Sequence, residues 1–144
     1  MSSPTLEALV FNVRYEANNI VSIELRPQSA ATPFPLTEAG AHIDLHLGDG
    51  LVRSYSLINP GETHRYVVAV LHDKNSRGGS RFVHETLRVG QTITISAPRN
   101  HFRLDESAPY SVLLAGGIGI TPVYAMLQRL TAIQRPAHLI YCAR

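Results

Sequence analysis

The chain has 144 residues, 44% hydrophobic and 17% charged, a globular balance that excludes a disordered polymer and leaves room for one full domain and part of a second. A formal net charge of +2 excludes a strongly basic nucleic-acid surface, and no apolar stretch approaches membrane-spanning length, so neither nucleic acid nor membrane is expected as a partner. The single cysteine, Cys142, permits no internal disulfide, and the opening Met-Ser-Ser-Pro-Thr lacks a basic region followed by an apolar run, so a soluble cytoplasmic protein is expected.

The first two-thirds reads as β-rich. Leu9 to Tyr15 and Ile20 to Leu25 alternate around Asn18-Asn19, a hairpin turn signal. Pro27 to Thr37 is a proline-containing loop. Ala41 to Leu47 sets Ile43, Leu45 and Leu47 on one face and His42, Asp44 and His46 on the other. That polar trio reads as a solvated face and not as a metal site, because two histidines and a carboxylate on one strand rarely suffice without supporting partners. Gly48-Asp49-Gly50 turns the chain into an antiparallel partner, Leu51 to Asn59. Arg65 to His72 is a further strand, whose apolar run predicts burial on both faces near its end. Arg77-Gly78-Gly79-Ser80 opens a short helix, Arg81 to Leu87, with Phe82, Val83, Thr86 and Leu87 on one side; Gly90 ends it and Thr92 to Ser96 gives another strand. About six strands with one short helix between the last two predict a small antiparallel barrel.

The composition then changes. An apolar run from Tyr110 to Ala115, a glycine loop from Gly116 to Pro122, a helix from Pro122 to about Ile133 and a strand from His138 to Cys142 form a parallel β-α-β unit, the start of a doubly wound nucleotide-binding domain. The boundary falls between Leu104 and Pro109, giving domains over 1–104 and 110–144. A two-stranded parallel sheet with one helix cannot cover both its faces: the unit docks on the barrel, a partner supplies the rest, or, as is expected here, the α/β unit is truncated, with its exposed apolar face open to dimerisation or a domain swap.

Three stretches carry chemistry. Leu51 to Asn59 is a strand that bears Arg53, Ser54, Tyr55 and Ser56 among β-formers, and an arginine in a mostly apolar barrel calls for an anionic partner. Twelve arginines against one lysine, Lys74, suit phosphate or carboxylate recognition. Tyr55 offers a flat face and Ser56 a hydroxyl for a ring ligand, although both residues are equally at home in a core or at a strand edge. In Arg77-Gly78-Gly79-Ser80, glycines let an anion approach the backbone, and Ser80 either caps the helix or donates to a phosphate oxygen. Gly116 to Pro122 lets a dinucleotide pass close to the backbone or is simply a tight strand-to-helix turn; it lacks Gly-x-Gly-x-x-Gly spacing, and Thr121 is a plausible helix cap. No nucleophile elbow or carboxylate pair stands out, so any chemistry belongs to a bound cofactor.

Arg-Ser-Tyr-Ser-Leu, Ser-Arg-Gly-Gly-Ser-Arg-Phe-Val-His and Ala-Gly-Gly-Ile-Gly-Ile-Thr-Pro, in that order, resemble the ferredoxin-reductase-type flavoproteins. More narrowly, they resemble the FMN-containing reductases of the phthalate dioxygenase reductase and vanillate demethylase reductase group, over nearly the whole chain. The resemblance implies an antiparallel six-stranded flavin-binding barrel followed by a nicotinamide domain, and a 2Fe-2S ferredoxin domain that this chain lacks. Electrons would pass from NADH or NADPH through FMN to a terminal oxygenase component. Arg53 and Ser80, with the Gly78 and Gly79 backbone, would hold the FMN phosphate; Tyr55 and Ser56 would meet the ring; Gly116, Gly117, Gly119 and Thr121 would border the nicotinamide and pyrophosphate. Ser54, Val70, His72 and Arg77 complete the implied cofactor-binding set, Ser56 and Thr121 are the implied catalytic pair, and no metal site is implied. Where some relatives carry a lysine, this chain has Leu71. An FAD-dependent flavin or ferric reductase, and a flavin-binding module without turnover, remain the alternatives.

Overall fold

The computed structural model describes residues 4–144. Strands β1 (Thr5–Ala17) and β2 (Ile20–Pro27) form the expected hairpin, turning through Asn19 at φ 61°, a left-handed conformation that asparagine tolerates. β3 (His42–His46) and β4 (Val52–Ser56) form a second hairpin across Gly48-Asp49-Gly50, three successive residues at positive φ. β5 (Tyr66–Leu71) and β6 (Thr92–Ser96) complete a six-stranded antiparallel sheet in the order β4-β3-β6-β1-β2-β5.

The six antiparallel strands expected of the barrel are present with the short helix, and their sheet does not close into a continuous ladder. The outer strands β4 and β5 approach each other, but they pair only just past the end of β4, at a bridge between Leu57 and Val68, where the Ile58 N–H donates to the Val67 carbonyl at 3.0 Å. The side chain of Asn59 then takes over: its Oδ1 accepts the Val67 N–H at 2.7 Å while its Nδ2 donates to the Arg65 carbonyl at 3.1 Å. Strand groups that would extend the ladder are satisfied locally instead.

Inward alternation builds the main core from Ile23, Leu25, Ile43, Leu45, Val68, Val70 and Ile95, all fully buried. Tyr66 stacks on Phe34 with ring centroids 4.4 Å apart and donates its hydroxyl to the Pro35 carbonyl. Helix α1 (Gly79–Glu85) begins two residues earlier than its side-chain periodicity suggests and packs Val83 into this core, followed by Leu87. Thr86, expected on the same side, is the exposed C-cap.

The second unit consists of β7 (Ser111–Gly116), a single 3-10 turn (Gly117–Gly119), α2 (Ile120–Ala132) and β8 (Ala137–Cys142), with β7 and β8 parallel in the register Leu113 to Leu139. α2 starts at Ile120 because the 3-10 turn runs straight into it, which places Pro122 in its first turn, where the missing N–H costs nothing. Val123, Met126 and Leu130 pack with Leu113 and with Ala39 from the loop before β3, forming a second core. The other sheet face leaves Val112, Leu114 and Ile140 exposed. Among the described residues, no helix is long and apolar enough to cross a membrane.

Candidate functional site

Register decides where the β4 side chains go. Arg53 lies opposite Leu45 and Tyr55 opposite Ile43, so both share the inward face; Ser54 lies opposite Asp44 and Ser56 opposite His42, on the other face. Tyr55 packs against the main core, and burial pushes its phenol up, with Arg53 opposing. Tyr55 and Ser56 therefore do not lie side by side as adjacent letters suggest. They meet again in a cleft of about 300 Å³ lined by Gly40, His42, Ser54, Tyr55, Ser56, His101 and Phe102. The half-buried Ser56 hydroxyl has no hydrogen-bond partner among the described residues.

Ser54 is committed to the protein. Its hydroxyl donates to Asp44 Oδ1, while Arg99 holds Oδ2 and the Asp44 N–H donates to Ser96 Oγ at 2.9 Å. Burial pushes the Asp44 carboxyl up, but the Ser54 hydroxyl and the Arg99 guanidinium outweigh it and hold it below its ordinary value. The face expected to be solvated is thus partly covered, because the segment after β6 folds back through a bridge between Arg99 and His42. Burial, aided by Arg99, lowers the pKa of His42, whose ring lies 5.5 Å from that of His101.

The Arg53 side chain reaches the Arg-Gly-Gly-Ser loop. A Cβ on the buried Gly79 would stand 2.6 Å from Arg53 Cγ and 3.0 Å from its Nε, so only glycine lets the strand arginine lie against the first turn of α1. Gly78 is the N-cap at φ 104°, another glycine conformation. Ser80 is accordingly inside the helix and does not cap it; its Oγ accepts the Asp73 N–H at 3.1 Å, leaving its own proton free to donate. The loop is tied instead by Ser76, whose Oγ accepts from the N–H groups of Gly78 at 3.1 Å and Arg81 at 3.3 Å. Arg77 is exposed.

Positive charge collects at this loop. Of the thirteen lysines and arginines, Arg14, Arg26, Arg65, Arg99, Arg103 and Arg129 form ion pairs. Among the described residues the other seven form none, and five of these seven, Arg53, Lys74, Arg77, Arg81 and Arg88, lie on α1, beside it or in the loop leading to it.

The remaining predicted positions divide. The Val70 side chain is fully buried, and its carbonyl accepts a hydrogen bond from His84 Nε2 at 2.9 Å. The His72 ring stacks on that of His84, with centroids 4.8 Å apart and planes at 19°. Thr121 is not the cap either: it is the second residue of α2 and donates its hydroxyl to the Ile118 carbonyl at 3.3 Å. Gly116, Gly117 and Gly119 are exposed, and a Cβ on any of them would meet nothing within 4 Å. Only Gly117, at φ 54°, needs glycine for its backbone, and its carbonyl accepts the Tyr141 hydroxyl at 3.2 Å. The glycine turn lies beside β5, with Cα atoms within 8 Å. The fold therefore gathers β4, β5, the start of α1 and the glycine turn in one region. Ser76 and His84 stand at the two ends of the second motif, yet no spacing rule gives either a role. His42 and His101 were not legible as site neighbours, because no spacing rule relates them to the three motifs.

No protein-family model matches the chain. It is 50% identical over 147 residues to a tetrachlorobenzoquinone reductase of Sphingobium chlorophenolicum, covering 100% of this chain and 45% of that protein. It is 48% identical over 140 residues to a vanillate O-demethylase oxidoreductase of a Pseudomonas species, covering 96% and 44%. Its structure matches that of phthalate dioxygenase reductase, described as modular for electron transfer from pyridine nucleotides to 2Fe-2S, with TM-score 0.90 and 40% identity over 97% of this chain and 44% of that one. The chain thus spans a little under half the length of these relatives. On the order of its three motifs, its fold and these similarities, the chain belongs, over the stretch it spans, to the ferredoxin-reductase-type flavoproteins of the phthalate dioxygenase reductase and vanillate O-demethylase oxidoreductase group.

Proposed function

We propose that this chain is the FMN-binding portion of an NAD(P)H-dependent reductase that passes electrons, through a 2Fe-2S domain, to the oxygenase component of a multicomponent system. The observation that carries the proposal is the concentration of cations without ion pairs around α1, with Arg53 laid against Gly79. Such a region favours a multiply charged anion, and the phosphate of a mononucleotide supplies one.

In this reading residues 1–104 hold the flavin and residues 110–144 begin the nicotinamide domain. Arg53, the Gly79 backbone N–H and the Ser80 hydroxyl bind the phosphate, while Ser76 holds the Gly78 N–H and Gly78 contributes the left-handed turn that opens the site. Tyr55 presents its ring as a wall, and the Ser56 hydroxyl donates a hydrogen bond to the flavin ring from the cleft it shares with Tyr55. Gly116, Gly117 and Gly119 leave space for the nicotinamide to approach without a side-chain clash. When bound, the flavin supplies a hydride acceptor for NAD(P)H and a single-electron donor to the iron-sulfur centre. The protein's contribution is orientation and charge compensation.

The test is flavin titration followed by tryptophan-independent flavin fluorescence, using FMN, FAD and riboflavin. The purified protein is expected to take up FMN, turn yellow and bind it more tightly than riboflavin. In Arg53→Ala, loss of one charged hydrogen bond should weaken FMN binding about tenfold to a hundredfold. A protein that loads with no flavin overturns the proposal, and unchanged FMN affinity in Arg53→Ala removes that residue from the phosphate site. Anaerobic addition of NADH then reports whether this portion alone accepts hydride.

A further inference from the structure

Two partly buried histidines adjoin the loop of the proposed phosphate site: His84 closes the Ser-Arg-Gly-Gly-Ser-Arg-Phe-Val-His motif, and His72 precedes the loop. His84 lies on α1, and its Nε2 is 2.9 Å from the Val70 carbonyl of β5. A carbonyl only accepts, so Nε2 carries the proton. On its flank the ring stacks on His72, which follows β5 directly, with centroids 4.8 Å apart. The same short helix begins at Gly79, which touches Arg53 of β4. With seven residues, α1 has little stability of its own, so its position depends on what ties it down. Val83 anchors it through apolar contact, which resists separation but is non-directional. The His84 hydrogen bond and the His72 stack are directional, and they hold the helix to the strand opposite β4.

We propose that His84, braced by His72, is a positioning residue for the phosphate site: it fixes α1 against β5 and so keeps Gly79 and the backbone N–H groups around it in place beside Arg53. This inference rests on the flavin reading above. Its signature is selective, because a ligand without a phosphate should not sense it.

The experiment compares dissociation constants for FMN and riboflavin in the parent protein, His84→Ala, His84→Gln and His72→Ala. Loss of about one net hydrogen bond should weaken FMN binding roughly fivefold to tenfold in His84→Ala, with riboflavin affinity changed less than about twofold. His84→Gln keeps a donor at similar reach and should recover most of the loss, and His72→Ala should show a smaller loss of the same selectivity. The inference is overturned if the FMN-to-riboflavin ratio in His84→Ala equals that of the parent, if both ligands weaken together, or if His84→Gln behaves like His84→Ala. Failure of the parent to bind either flavin would instead overturn the flavin reading, which separates the two outcomes.

Discussion

Gly79→Ala tests the contact on which the site depends. The new methyl would stand 2.6 Å from Arg53 Cγ, 3.0 Å from Nε and 3.3 Å from Cδ, whereas carbon atoms in comfortable contact are roughly 3.5–4.0 Å apart. Something must move by about 1 Å. The helix backbone at Gly79 needs no positive φ, so alanine fits there and gains about 0.4–1 kcal/mol by restricting the unfolded chain. The Arg53 side chain is the softer partner, and in swinging away it gives up the Nη1 hydrogen bond to the Val52 carbonyl at 2.7 Å, about 0.5–1.5 kcal/mol. These terms nearly cancel, so thermal stability should stay within about 1 kcal/mol of the parent. Displacing the guanidinium from the phosphate should instead cost about 1.5–3 kcal/mol of ligand binding, about a tenfold to hundredfold rise in the FMN dissociation constant with riboflavin binding unchanged. Fluorescence titration with both flavins and a thermal melt read the two sides. FMN bound as tightly as in the parent, in a folded variant, would refute the reasoning.

Gly40→Ala should fail for a different reason: at φ +95° its Cβ would lie 1.9 Å from the Phe102 backbone carbonyl oxygen, which cannot step aside like a side chain. A loss of roughly 3 kcal/mol or more, a fall of about 10 °C in melting temperature, is expected, and a melt within a few degrees of the parent would contradict it. Asp44 makes a pH-dependent contribution. Its folded-state carboxyl titrates below the ordinary value of 3.8, so the stability from Ser54 and Arg99 is fully present above that pH and lost as pH falls through the lower folded value. Chemical denaturation from about pH 6 down to about pH 2.5 should therefore show a steeper acid loss in the parent than in Asp44→Asn, and parallel profiles would exclude that role.

The family and the number and type of elements could be read from the chain because they rest on local signals. Alternation gave the strands, Asn18-Asn19 and Gly48-Asp49-Gly50 gave the hairpins, and the order of three short motifs gave the resemblance. Helix starts were less legible: glycines at α1 and the 3-10 turn at Gly117–Gly119 supply the first turns without the side-chain caps expected of Ser80 and Thr121.

What the chain could not say by itself concerns contacts between residues far apart in sequence. Adjacent letters put Tyr55 beside Ser56, but pairing with Ile43 and His42 sends them to opposite faces of β4. Arg53 could be matched to an anion by its chemistry alone, yet that it lies on Gly79, 26 positions later, follows only from how α1 packs beneath the sheet. The open seam between β4 and β5, the covering of Asp44 by Arg99 and the stacking of His72 on His84 have the same origin. Periodicity is a property of one segment, whereas register, edge closure and side-chain meeting depend on the relative placement of two, and the tertiary packing sets that placement.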